Sequence, residues 1–231
     1  MKTYKAYQVV MIVFLSIVLN LIGHLIASSL TLPLWLDSLG TFLTAYALGP
    51  VCGVIVGVSG NLINSMFNPD FLVYALSSGF MAVIVGALSS KGWMDTLLKT
   101  MSLSVLVTLV CVFISVVLNI TFYDGKIGNE WGNEIAGLLE EVGIPRIVRI
   151  FIGQFYVDFL DKVCTLCILY MMIRAYRFSK TMLPSIFKIQ TAKTTVCFLL
   201  LLISAPLSSK MFAKARDYNS YVRTLYNKEN S

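Results

Sequence analysis

The sequence predicts an all-α integral membrane protein, and three observations support this prediction. Hydrophobic residues make up 57% of the 231 residues and charged residues only 13%, a composition far from that of a soluble domain. Several apolar runs approach or exceed the roughly 20 helical residues that cross a bilayer core. Lys and Arg lie mostly in short groups beside these runs, so the net charge of +6 indicates orientation in a lipid bilayer rather than a nucleic-acid partner.

The apolar runs predict six membrane crossings and a shorter seventh segment. The first, near 7–30, is too long for a signal-peptide core and has no small-x-small cleavage site after it, so we expect it to remain as a helix. The other crossings are expected near 34–48, 50–67, 71–89, 100–121 and 150–173. The chain then divides into a membrane domain at 1–175, a basic cytoplasmic linker at 176–194, a seventh apolar segment at 195–208 and a polar tail at 209–231.

The apolar stretch from Pro33 to Met66 is interrupted by Gly49-Pro50, which predicts a hairpin of two short helices. The alternative is one kinked crossing. With the amino terminus and the Gly49-Pro50 turn in the cytoplasm, Lys91 and Lys99 also lie inside, whereas a kinked crossing would place them outside against the positive-inside rule. The sequence therefore favours a multi-pass protein of the bacterial cytoplasmic (inner) membrane with a cytoplasmic amino terminus.

A long polar loop, residues 122–148, follows the fifth predicted crossing. It contains a short amphipathic pattern around 134–142 that would cap the bundle from outside. The alternative is a solvated connector.

The sequence contains no pattern that predicts an enzyme, a cofactor or a metal site. There is no nucleophile–base constellation, phosphate-binding loop, dinucleotide fingerprint or zinc spacing, and only one histidine. The five cysteines all lie inside apolar stretches, where small soft side chains are ordinary packing.

Polar residues at helical spacing in the sixth predicted crossing are the main candidates for a site. Gln154, Asp158, Asp161 and Thr165 form one stripe, and Lys162 follows Asp158 by four residues and can pair with it. Charged groups at this depth need partners or a cavity. The stripe is therefore either a structural ion-pair cluster or part of a ligand-binding or coupling site.

The first predicted helix also has a polar face. Its members are Ser16, Asn20, Gly23, His24 and Ala27. They form either a packing seam, with Asn20 bonded to His24 or a neighbour, or a ligand contact.

The third predicted helix carries Gly49, Gly53 and Gly57 at four-residue intervals, a pattern that permits close helix approach. Its polar outer end and the residues before the second helix would line an externally open pocket for a small planar or polar solute. The predicted substrate-binding residues are Trp35, Asp37, Asn61, Asn64, Asp70, Asp158 and Asp161.

The stretch LPLWLDSLGTFLTAYALGPVCGVIVGVSGNLI, followed by an outer loop and an apolar helix ending at Gly86–Gly92, resembles the substrate-binding S component of energy-coupling-factor (ECF) transporters over about residues 7–175. The resemblance implies a six-helix bundle that binds a vitamin, a precursor or a metal ion from outside. It also implies an ECF coupling membrane subunit and two cytoplasmic ATPases as partners. Gly49-Pro50, Gly53 and Gly57 match the family's turn and its spaced glycines.

The sequence departs from this family in three places. Asn61 stands where many members have aspartate, so substrate chemistry is not carried over at that position. The nearest match to the family's alanine-xxx-alanine coupling face is Gly23-xxx-Ala27, toward the outer half of the helix. The chain also continues beyond the sixth crossing.

The DYNSY sequence at 217–221 is similar to the lead-in of extracytoplasmic sensor propellers in bacterial signalling proteins. This similarity predicts an alternative function, the transmembrane input or anchor region of a receptor whose sensor domain follows residue 231. Otherwise the basic tail is expected in the cytoplasm.

Overall fold

The computed structural model describes residues 5–181, and within that range all regular secondary structure is helical. The seven helices are α1 (Ala6–Ser29), α2 (Leu39–Leu48), α3 (Pro50–Ser65), α4 (Phe71–Ser89), α5 (Leu97–Phe122), α6 (Glu130–Glu141) and α7 (Arg146–Thr181). Because α7 runs to Thr181, the start of the predicted linker continues this helix. The predicted seventh apolar segment at 195–208 and the tail at 209–231 lie outside the described residues.

Three of the described helices, α1, α4 and α5, are long and apolar enough to cross a membrane. They agree with the predicted crossings at 7–30, 71–89 and 100–121 to within a few residues. The predicted crossing at 150–173 lies inside α7, which is 36 residues long and carries charged side chains in its middle. Apolar helices α2 and α3 are shorter, with 10 and 16 residues.

Helices α2 and α3 form an antiparallel hairpin around Gly49. A Cβ atom added at Gly53 would lie 2.6 Å from the Cβ of Ala45, and one at Gly57 would lie 3.1 Å from Thr41 Cγ2. Ala45 and Gly53 each lie four residues from Gly49, and Thr41 and Gly57 each lie eight residues from it. This symmetric pairing is the register of a hairpin and excludes a single kinked helix. Gly49 has a φ of 98° and Pro50 begins α3, as suits their backbone preferences. The side of the membrane on which the turn lies stays a prediction.

The prediction that the second crossing begins at residue 34 is wrong, because α2 begins only at Leu39. Residues 30–38 instead form an irregular segment, the α1–α2 loop. Asp161 on α7 accepts hydrogen bonds from the backbone amides of Trp35 (3.1 Å) and Leu36 (2.7 Å). Irregular backbone is tolerated inside a membrane bundle only where other groups satisfy its donors, and Asp161 does so here.

Helix α1 supplies the hydrogen-bond acceptor for the first turn of α2. Asn20 on α1 accepts from the backbone amides of Gly40 (2.7 Å) and Thr41 (3.3 Å), and its Nδ2 donates to Thr41 Oγ1 at 2.8 Å. One turn earlier, Ser16 accepts a hydrogen bond from Thr44 Oγ1 at 2.7 Å. This part of the α1 face is therefore a packing seam that satisfies the free amides of the α2 amino terminus.

Helix α6 begins four residues before the predicted amphipathic pattern and packs against α7. A Cβ atom at Gly153 would lie 2.4 Å from the Gly132 carbonyl oxygen, so the two backbones meet at glycines. The main apolar core joins α2, α4, α5 and α7 with side chains that include Phe42, Val85, Leu103, Val107 and Leu166.

Candidate solute-binding cavity

A cavity of about 610 Å³ opens at one end of the helical bundle, where α1, α3 and α5 end and α4 and α7 begin. Cavities of about 300–1,000 Å³ with apolar walls and a few polar groups are typical of small-molecule sites. Six of the seven predicted substrate-binding residues line this one cavity: Trp35, Asp37, Asn61, Asn64, Asp70 and Asp158.

The seventh predicted residue, Asp161, is not among the residues that line the cavity. It is fully buried beneath the α1–α2 loop, where its Oδ2 accepts from Ser38 Oγ at 3.3 Å in addition to the contact with Lys162. With two backbone amides on its other oxygen, this carboxylate has four donors. It is positioned to hold the loop that carries Trp35.

The expected ion pair between Asp158 and Lys162 is wrong. Lys162 Nζ lies 2.5 Å from Asp161 Oδ2, the neighbouring residue in the chain. Helical spacing makes the four-residue pair possible, but the ammonium group lies against Asp161, whose carboxylate is held in place by the donors of the α1–α2 loop. Among the described residues, Asp158 has one hydrogen bond, at its Oδ2 atom, from Gln154.

A directional hydrogen-bond chain leads to Asp158 through the cavity wall. The Tyr74 hydroxyl donates to Asn119 Oδ1, Asn119 Nδ2 donates to Gln154 Oε1 at 2.9 Å, and Gln154 Nε2 donates to Asp158 Oδ2 at 2.9 Å. The chain joins α4, α5 and α7. Since each amide both accepts and donates, the orientation of every member is fixed and the carboxylate is held against the cavity.

Sequence reasoning missed Tyr74 and Asn119. Asn119 is fully buried near the end of a predominantly apolar helix, and a buried amide in such a helix is itself a signal of a site or partner. Tyr74 gave no comparable signal, because tyrosine near a membrane surface is an ordinary interfacial anchor.

Aromatic side chains form another part of the cavity wall. Trp35 and Phe71 meet edge to face with their centroids 6.4 Å apart, and His24 meets Phe71 at 4.8 Å. His24 Nε2 lies 3.4 Å from Ser28 Oγ, whereas its Nδ1 is buried without a hydrogen-bond partner. His24 and Phe71 both line the cavity.

Two asparagines on α3 differ in their surroundings. Asn61 Nδ2 donates to Ser78 Oγ at 2.6 Å and to the Gly57 carbonyl at 3.0 Å, so it also ties α3 to α4. Asn64 is 8% exposed and lines the cavity. Its side-chain amide makes no hydrogen bond to the described residues.

The segment between α5 and α6 closes over the α1–α2 loop. A Cβ atom at Gly128 would lie 3.1 Å from Trp35 Cη2. Trp131 Nε1 donates to the Thr31 carbonyl at 2.7 Å, and Asn129 Nδ2 donates to the Leu32 carbonyl at 3.2 Å. Part of the long polar loop therefore covers the bundle at the cavity end, which is the capping alternative for this loop.

Tyr123 lies at the mouth of the cavity beside Asp70. Its ring stacks on Tyr74 with centroids 6.0 Å apart, and its hydroxyl donates to the Asp70 carbonyl at 3.1 Å. Burial and, to a smaller extent, the charge of Asp70 raise the pKa of Tyr123. The phenol therefore remains a donor at neutral pH.

The residues expected to couple the protein to a partner face the interior of the chain. A Cβ atom at Gly23 would lie 2.0 Å from the Leu36 carbonyl oxygen, and Ala27 is 3% exposed. A partner that docked through this face would have to displace the α1–α2 loop. Coupling through Gly23 and Ala27 stays a prediction.

Across residues 5–181, no group of three or more His, Cys, Asp or Glu side chains is placed to hold a metal ion. Comparisons of the chain with protein families, with characterised proteins and with solved structures find no significant match.

Proposed function

We propose that residues 5–181 form a membrane-embedded module that binds one small solute, as the S component of an ECF transporter does. The observation that carries this proposal is the cavity of about 610 Å³, whose wall contains a buried carboxylate held by a chain of hydrogen bonds. Buried polar chains are costly unless fully satisfied, and a ligand is the simplest reason to direct one at a cavity.

We further propose that the cavity opens to the outside of the cytoplasmic membrane. Acidic residues predominate at its end, where the charged side chains are Asp37, Asp70, Asp124, Lys126, Glu130, Glu134, Glu140, Glu141, Arg146 and Arg149. At the opposite end they are Lys5, Lys91, Asp95, Lys99 and Arg174. The positive-inside rule then assigns the opposite end, with the amino terminus and the Gly49-Pro50 turn, to the cytoplasm.

A transporter of this kind needs an ECF coupling membrane subunit and cytoplasmic ATPases as partners. The similarity at residues 217–221 supports a second candidate, a receptor input region in which the same cavity senses the solute. Solute uptake by cells separates the two functions. A transport module loses uptake but keeps binding when the coupling subunit is deleted, whereas a receptor module shows no uptake that depends on that subunit.

Binding itself is tested by mass spectrometry of small molecules that co-purify with the protein in mild detergent. Ser115 on α5 is 4% exposed and lines the cavity, so Ser115→Trp should fill it and remove the co-purifying solute. Val117→Trp is the matched control, since Val117 lies on the same helix and is 62% exposed. A solute that stays bound in the Ser115→Trp protein, or no solute in the unaltered protein, contradicts the proposal.

The orientation is tested by labelling single cysteines in a cysteine-free background. Position 91 should react only from the cytoplasm and position 134 only from outside. Labelling of position 91 from outside contradicts the orientation without affecting the proposal of binding.

A further inference from the structure

The inner wall of the cavity carries an excess of carboxylates. Asp37 and Asp158 line it, Asp161 lies directly behind it, and the only ammonium group among the lining residues belongs to Lys162. That ammonium group is paired with Asp161 at 2.5 Å. Among residues 5–181, the three carboxylates therefore share a single ammonium group, and its direct salt bridge is with the one that does not line the cavity.

Asp158 shows this excess of carboxylates most clearly. It is 4% exposed, and within residues 5–181 its carboxylate receives one hydrogen bond, from Gln154 at Oδ2. A buried carboxylate that has no direct salt bridge is costly in a membrane bundle. A positively charged ligand group beside its second oxygen would remove that cost.

An unpartnered polar group on another helix points to the same ligand. Asn64 on α3 is 8% exposed and lines the cavity, and its side-chain amide makes no hydrogen bond to the described residues. A ligand with an N–H group can donate to the Asn64 side-chain oxygen.

The remaining wall suits a planar apolar body. Trp35 and Phe71 are arranged edge to face, and Tyr74 begins the hydrogen-bond chain from the same side of α4. Aromatic faces attract organic cations as well as flat rings. The cavity volume is sufficient for a ring system with a side chain.

Building on the proposed function, we propose that the cavity selects an organic cation, a protonated amine joined to an aromatic or similarly planar body. The ammonium group lies against Asp158 and Asp37, and the ring lies against Trp35 and Phe71.

The test uses three probes with one skeleton and different charges: tryptamine, tryptophol and indole-3-acetate. Their affinities are measured by ligand-observed NMR on the protein in nanodiscs, with the Ser115→Trp protein as the reference for binding outside the cavity. Tryptamine should bind about tenfold or more tightly than tryptophol, a difference of about 1.4 kcal/mol, and indole-3-acetate should bind most weakly.

The preference should depend on the cavity carboxylates. Asp158→Asn and, independently, Asp37→Asn should each reduce the ratio of tryptamine to tryptophol affinity, whereas a general folding defect weakens both probes alike. Glu141→Gln is the matched control, because it removes an exposed carboxylate of α6 and should leave the ratio unchanged.

Three outcomes overturn the inference. Equal affinity for tryptamine and tryptophol, or tighter binding of indole-3-acetate, contradicts cation selection while leaving solute binding intact. A neutral or anionic solute that co-purifies with the unaltered protein, but not with the Ser115→Trp protein, also contradicts cation selection and leaves solute binding intact. If no probe binds and no solute co-purifies, both this inference and the proposed function fail.

Discussion

Asp158 and Asp161 lie on the same face of α7 and are both buried, but their hydrogen bonding differs. Asp161 is fully buried and has four donors, three from the α1–α2 loop and one from Lys162. Asp158, less than one helical turn away, has a single hydrogen bond from Gln154 and faces a cavity. Burial alone therefore does not separate a structural carboxylate from a candidate ligand-binding one. The two kinds of carboxylate are separated instead by the number of hydrogen-bond donors that each one has.

The largest expected effect of a single substitution is at Asp161. Asp161→Asn leaves the Lys162 ammonium group buried without its partner, and breaking a buried pair in this way costs about 3–5 kcal/mol. We expect a large fall in the free energy of unfolding, measured by denaturant titration in detergent.

The double variant Asp161→Asn with Lys162→Met sharpens this prediction. It removes both charges and keeps an acceptor for the loop amides, so it should recover much of the lost stability. A single Asp161→Asn variant as stable as the unaltered protein would remove the distinction between the two carboxylates.

A smaller loss is expected at Asn20, which supports the α1–α2 region without a charge. Asn20→Ala leaves the Gly40 and Thr41 amides unpaired in the bundle, at a cost of about 1–3 kcal/mol. Asn64→Ala is the matched control, because Asn64 is nearly as buried and its side chain makes no hydrogen bond to the described residues. Equal melting temperatures for the two variants would show that the Asn20 cap contributes nothing to stability.

A still smaller loss is expected at Tyr74, the first donor of the chain that ends at Asp158. Tyr74→Phe leaves Asn119 Oδ1 without this donor, and the net cost of such a lost bond is about 1 kcal/mol. Tyr123→Phe, which removes a hydrogen bond near the exposed surface, should change the melting temperature less. The reverse order would contradict a structural role for the chain.

The smallest change in stability is expected at Asp158 itself. Asp158→Asn removes a buried charge that forms no salt bridge with the described residues and keeps an oxygen that can accept from Gln154, so the ligand-free protein should melt at an equal or slightly higher temperature. An increase in the melting temperature of the Asp158→Asn protein would be opposite in sign to the change expected for Asp161→Asn. A fall as large as that of Asp161→Asn would make both carboxylates structural.

The long apolar helices could be predicted closely from the sequence, because bilayer thickness fixes the length of an apolar run. The hairpin was also predictable, since Gly49-Pro50 is a local signal. The start of α2 was not, because the groups that hold the α1–α2 loop, Asn20 and Asp161, come from two other helices.

The residues of the candidate site could be predicted from the sequence better than the contacts between them. Polar residues in apolar helices identified Asn61, Asn64 and Asp158, which line one cavity. The partner of Lys162 was not predictable, because helical spacing favours Asp158, four residues earlier, over the adjacent Asp161. Asp161 is held by loop donors that lie far away in the chain. Six of the seven predicted substrate-binding residues share the cavity, and whether they bind a solute stays a prediction.

The dependence of the α1–α2 loop on Asp161 has a consequence for biogenesis. Trp35 and its acceptor are separated by 126 positions in the sequence, so at about 5–20 residues per second the ribosome needs roughly 6–25 seconds to supply the partner. During that interval α2, which has ten residues and is too short to cross a bilayer core alone, has its contacts with α1, α3 and α4 but not those with α7. The α1–α2 loop therefore gains the acceptor for its Trp35 and Leu36 amides only after α7 has been synthesised.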